Sequence, residues 1–127
     1  MRRRLTIEVK RIYEAPARSD GCRILVDRIW PRGISKDAAK LDAWLKDAAP
    51  SAELRSWFGH DPAKWASFKR KYFRELRRQD GIVEQLADAA RGKTITLLFA
   101  AKDELHNNAV ALKEYLDGQL GTRGERR

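Results

Sequence analysis

Thr94-Ile-Thr-Leu-Leu-Phe-Ala100 is the most hydrophobic segment of the chain. It is long enough for a strand and too short for a typical helix, so it reads as the central strand of a sheet. Working outward, Cys22-Arg-Ile-Leu-Val26 is a nearly continuous apolar run that suits a strand covered on both faces. Leu5 to Ile12 alternates apolar and polar residues through Leu5, Ile7 and Val9, the period of a strand with one face more buried. The stretch between Val26 and Thr94 is rich in helical patterns, which argues against a hairpin and for parallel crossover connections. The expected fold is an α/β layered domain with a short parallel sheet.

Five helical patterns accompany these strands. Ser35 can cap a helix whose apolar residues Leu41, Trp44, Leu45 and Ala48 recur at helical spacing. Ser51 can cap a second, with Leu54, Trp57 and Phe58 as its stripe and Gly59 just past its end. Asp61-Pro62 opens the longest one, to about Gln79. On it Trp65, Phe68, Tyr72 and Leu76 share one face, opposite Arg70, Lys71, Arg74, Arg77 and Arg78. After the Asp80-Gly81 break, Ile82, Val83, Leu86, Ala87 and Ala90 mark a fourth helix ending at Gly92. Asp103 can cap the last, with a stripe through Leu105, Ala109, Leu112, Leu116 and Leu120. Tyr13 to Gly21 is polar and ends in an Asp-Gly turn signal.

With 127 residues, the chain has the length of one domain. Such a chain can bury enough surface to need neither disulfide nor structural metal. One cysteine, Cys22, and two histidines exclude an intramolecular disulfide and are too few for a zinc cluster, and a reducing cytoplasm is the expected setting. No apolar run approaches the ~20 residues that span a bilayer, and nothing after Met1 resembles a signal peptide. The net charge of +9 favours an anionic partner. It is unevenly placed, however. Arg2, Arg3, Arg4, Arg123, Arg126 and Arg127 against Glu125 put five net charges in the ends and leave +4 on residues 5–122. Residues 1–4 and 121–127 are therefore expected to be basic, mobile tails on a single domain spanning 5–120.

In parallel α/β sheets, ligands bind beyond the carboxyl ends of the strands, where helix N-termini also point their free N–H groups. That rule selects the loops Asp27–Gly33 and Ala101–Asn108. For an anionic ligand they offer Arg28, Arg32, Lys102, Asn107 and Asn108 as binding groups, and Asp27, Asp103 and His106 as proton-transfer candidates. The structural alternative is that Asp27 pairs with Arg28 or Arg32 to pin its loop, Asp103 caps a helix and Trp30 plugs the core edge. His60-Asp61 is accounted for as a turn with an N-cap. Neither a dinucleotide fingerprint, a Walker loop nor a metal-ligand spacing is present, so no cofactor or metal is expected.

The blocks Asp20 to Gly33, Ala49 to Phe58 and Thr96 to Asp103, above all Val26-Asp-Arg-Ile-Trp-Pro-Arg-Gly33, resemble the DUF488 family in its short, YeaO-like branch. The resemblance runs from Ile7 to about Leu120. It implies a small cytoplasmic Rossmann-like three-layer α/β domain, a short parallel sheet flanked by about five helices, of unestablished biochemical role. Two positions depart from the pattern. The short branch has Asn-His-Ala where this chain has Asn107-Asn108-Ala109, and an aromatic residue where it has Cys22. The Cys-His-Arg of other family members near this helix start has no counterpart here, so the resemblance implies no thiol chemistry.

Two functions from different classes follow. One is a protein that binds a phosphate- or carboxylate-bearing small molecule at the carboxyl edge of the sheet. The other is a nucleic-acid-binding module using the 70–78 basic face and the arginine-rich tails. A third, a docking domain with exposed tryptophans, is disfavoured because every tryptophan lies at core or loop-anchor spacing.

Overall fold

A computed structural model describes residues 6–79, 81–90 and 94–120, with the side chain of Leu120 left out. The tails, Leu5, the Asp80 break and the Gly92 helix end lie outside the described residues. Strands β1 (Ile7–Arg11), β2 (Cys22–Leu25), β3 (Ala43–Trp44) and β4 (Ile95–Phe99) form one sheet in the order β1-β4-β2-β3. All neighbours are parallel, with Ile7 opposite Ile95, Cys22 opposite Ile95, and Ile24 opposite Ala43. The helices are α1 (Lys36–Ala39), α2 (Ala52–Phe58), α3 (Trp65–Arg78), α4 (Ile82–Ala90) and α5 (Asn108–Leu120).

As its sequence requires, β4 is central and buried at every position. Strand alternation divides the core into two. Ile24, Val26, Ile95, Leu97 and Phe99 face a large cluster filled by Leu54, Phe58, Phe68, Tyr72, Leu76, Leu86, Leu112 and Leu116. Leu25 and Leu98 face the other side, a small cluster of Ile12 and Ala39 covered by Trp30, Ile34, Leu41 and Trp44. This is a three-layer α/β domain with unequal layers: four helices supply the first side and the single turn of α1 with its flanking loops supplies the second.

Three caps form as read from the sequence: Ser35 accepts from Ala38 N, Ser51 from Leu54 N and Asp61 from Ala63 N. Two expectations are corrected. The helix capped by Ser35 does not reach Ala48; it stops at Ala39, where the Arg23 guanidinium takes the carbonyls of Ala39 and Lys40. The chain beyond becomes β3, because the open edge of β2 offers partners: Asp42 N donates to Arg23 O and Leu45 N to Leu25 O. Nor does Asp103 cap the final helix. It closes a tight turn by accepting from the N–H groups of Leu105 and His106, while Asn107 caps α5 at Val110 N. Leu105, assigned by spacing to the buried stripe, is consequently 72% exposed.

Candidate functional site

The two central strands end at Leu25 and Phe99, and the loops leaving them meet at a cleft of about 440 Å³. Asp27 is the hinge between these loops. One carboxylate oxygen accepts from Ala100 N at 3.0 Å and the other from Asn108 Nδ2 at 3.2 Å. Asn108 also donates to Val26 O at 2.9 Å, and Trp44 Nε1 donates to Asp27 O at 2.7 Å. Burial raises the pKa of Asp27 above the ordinary carboxylate value, although these two donors and the charge of Arg55 oppose the shift.

Arg28 and Arg55 both line this cleft. Arg28 reaches only the carbonyls of Pro50 and Ala49, each at a long 3.4 Å. Arg55 is exposed on α2, and its side chain makes no hydrogen bond or salt bridge among the described residues, while its backbone N–H donates to Ser51 O. Asp27 is paired with neither Arg28 nor Arg32 at salt-bridge distance, nor with Arg55, so hydrogen bonds from neutral groups stand where the structural alternative put a loop-pinning ion pair. Apolar side chains complete the walls, chiefly Trp30, Pro31, Pro50, Phe58 and Phe68. His60 lines the cleft as well, at φ 58°, a left-handed conformation uncommon outside glycine.

The other sequence candidates separate. Asn107 lines the cleft but is buried, its amide spent on Asp103 O and the cap of α5. Arg32 and Lys102 are exposed and lie outside the cleft lining. Asp103 pairs with His106 Nδ1 at 3.0 Å, and the His106 ring meets Trp65 edge-on at 5.3 Å. Backbone donation from Leu105, then the His106 side chain, hold the Asp103 carboxyl below its ordinary value. That pair is likewise outside the cleft lining. Trp30 packs as the structural alternative held, edge-to-face on Trp44 at 5.2 Å with its Nε1 donating to Ile34 O, while also lining the cleft.

Sequence reasoning did not single out Arg55, and it set His60, with Asp61 a conceivable acid/base pair, aside as part of a turn. Local spacing gives no sign that α2 folds back over the ends of β2 and β4; the only signal was that Arg55 lies in the family-like block Ala49–Phe58. On α3 the basic face is as read, with Arg70, Lys71, Arg74, Arg77 and Arg78 all exposed. Beside it, Lys64 and Lys71 each place an ammonium about 5 Å from the centre of the Trp57 ring, at 5.0 and 5.1 Å. Among the described residues no cluster of His, Cys, Asp and Glu has metal-site geometry, and no helix is long and apolar enough to cross a membrane.

Comparisons with known proteins agree with the sequence blocks. Residues 6–127 match a family model described as the inactive DUF488-N3 subclade. The chain is 42% identical over 112 residues to the uncharacterized protein YeaO of Escherichia coli, covering 88% of this chain and 97% of that one. It is 37% identical over 119 residues to the uncharacterized protein Rv3073c of Mycobacterium tuberculosis, covering 94% of this chain and 100% of that one. No solved structure gives a significant match. With a match that spans nearly its whole length and a relative this similar, the chain belongs to the DUF488 family, in its YeaO-like branch.

Proposed function

We propose that this protein binds a small phosphate- or carboxylate-bearing molecule in the cleft at the carboxyl edge of the sheet, with Arg28 and Arg55 as the anion-holding groups. The observation that carries this is two arginines without a carboxylate partner at salt-bridge distance, lining one cavity of about 440 Å³. Arginine's planar fork matches a carboxylate or phosphate, and apolar walls strengthen the pair by excluding water. Binding without turnover agrees with the family description as inactive. The reading treats residues 5–120 as one domain working in the cytoplasm.

Thermal shifts with inorganic phosphate and ribose 5-phosphate test it. Stabilisation that disappears in Arg28→Ala and Arg55→Ala but survives in Arg32→Ala is expected; shifts indifferent to both Arg28→Ala and Arg55→Ala overturn it.

The basic face of α3 supports a second reading, contact with nucleic acid, through five exposed cations beside the lysine-flanked Trp57. Each phosphate neutralised adds close to one unit to the salt slope of binding. Arg74→Ala should therefore lower that slope by about one, and no binding to single- or double-stranded DNA or RNA at low salt rejects this reading.

A further inference from the structure

We propose that the group the cleft accepts is a nucleoside monophosphate, with a base that presents two adjacent N–H donors to Asp27 and a phosphate held by Arg28 and Arg55. This rests on the anion-binding reading above and extends it from a charge to a ligand class.

The cleft combines three kinds of chemistry: a carboxylate, apolar walls and two arginines. Asp27 is fixed against the end of the sheet through Ala100 N and Asn108. Trp30, Phe58 and Phe68 make apolar walls, and Arg28 and the exposed Arg55 line the same cleft. A ligand that satisfies all three chemistries carries N–H donors, a flat apolar body and an anion. An inorganic anion leaves the carboxylate and the walls unused. A cavity of about 440 Å³ lies within the ~300–1,000 Å³ usual for small-molecule sites.

The state of Asp27 narrows the base. A carboxylate has about four acceptor sites. One on each oxygen is taken, by Ala100 N and by Asn108 Nδ2, which leaves one on each oxygen for an incoming pair of donors. Guanine supplies such a pair in N1–H and its exocyclic N2 amine. Adenine and cytosine set a single amine beside a ring-nitrogen acceptor, and uracil sets one N–H between two carbonyls, so each turns an acceptor toward the carboxylate. Hypoxanthine keeps N1–H and lacks the amine. The same nucleotide chemistry exists free or as the 5′ end of a strand, and the test separates these sources.

Calorimetric titration of the full chain with ribose 5-phosphate, GMP, IMP, AMP and a short single strand beginning with 5′-phosphoguanosine reads the preference. GMP should bind about 10- to 100-fold more tightly than IMP, as expected for one hydrogen bond to a charged group, and more tightly still than ribose 5-phosphate. Asp27→Asn, which presents one acceptor and one donor, should transfer the preference from GMP to XMP, whose C2 carbonyl replaces the amine. A melting curve of the variant shows whether it is folded, and the GMP to IMP ratio of the unaltered protein decides the matter if it is not. A strand that binds at least as tightly as GMP assigns the group to a strand end, and weaker binding assigns it to the free nucleotide; with guanine preferred, both support the proposal. GMP and ribose 5-phosphate binding equally overturns the role of Asp27 while leaving the anion site standing. No binding of either, in the original chain and Arg55→Ala alike, overturns both.

Discussion

The two ends of β2 carry the same residue types and use them in opposite ways. At the amino end, Arg23 Nη1 lies 2.6 Å from Asp20, Lys10 adds a second contact at 3.0 Å, and the pair is 4% and 6% exposed. Both remaining faces of the Arg23 guanidinium go to carbonyls of Ala39 and Lys40. At the carboxyl end, Asp27 takes neutral donors, and Arg28 reaches only two distant carbonyls. The first cluster closes on itself and ties α1 to the sheet. The second leaves cations available around a cavity. Unspent charge, rather than charge as such, distinguishes a binding edge from a structural one.

The largest expected effect breaks the closed end. Arg23→Met leaves the Asp20 carboxylate buried without its nearest partner and frees the carbonyls ending α1, and should cost about 3–5 kcal/mol in urea unfolding. The corresponding change at the open end, Arg55→Met, should alter stability by less than about 0.5 kcal/mol. A large loss there would mean that Arg55 is structural and the contrast false.

Glycines sharpen the same contrast. Gly21 has φ 65°, and a Cβ there would stand 2.3 Å from the carbonyl oxygen of Thr94, which already pairs with Cys22 N. Gly33, the last residue of the Asp27–Gly33 loop, has φ 79° with open space around it. Gly21→Ala adds a backbone clash to left-handed strain and should cost about 3 kcal/mol or more, against about 1–2 kcal/mol for Gly33→Ala. Comparable midpoints for the two variants would contradict the close approach at Gly21.

The smallest effect is pH dependence, and its sign differs between the ends. Burial opposes the charge of Asp20, but donation from Ala17 N, Lys10 and Arg23 prevails and lowers its pKa. Its stabilising contribution is therefore present above the ordinary carboxylate value and is lost as pH falls through the lowered one. Asp27 is shifted upward, so its contribution is complete below the ordinary value and shrinks as pH rises through the raised one. Over the range from about pH 2 to pH 7, relative to the unaltered chain, Asp20→Asn should lose stability as pH rises to about 4 and Asp27→Asn should gain it as pH rises beyond about 4. Urea midpoints across that range check both, and parallel profiles would remove the distinction.

Some of this was legible in residue order because it depends on neighbours. The apolar run 94–100 determined the central strand, the Ser51 and Asp61 caps placed two helix starts, and the 100° rotation per residue separated the buried and basic faces of α3. The strand-end rule found Asp27, Arg28 and Asn108 at the cleft. Where local pattern competed with distant partners, it lost. Leu41 to Ala48 has helical spacing, yet Arg23 ends the helix and β2 captures the following residues as a strand. Leu105 has core spacing, yet the Asp103 turn points that segment outward.

By itself, then, the sequence determined the elements whose hydrophobic pattern and caps agree, the parallel character of the sheet and the edge at which to look. Only the tertiary structure decided which charges are spent. Arg23 and Arg28 are both arginines at ends of β2. Arg23 meets Asp20 three residues away and Ala39 sixteen away, whereas Arg28 meets only the carbonyls of Ala49 and Pro50, 21 and 22 residues away, and a cavity; no spacing along β2 encodes that difference.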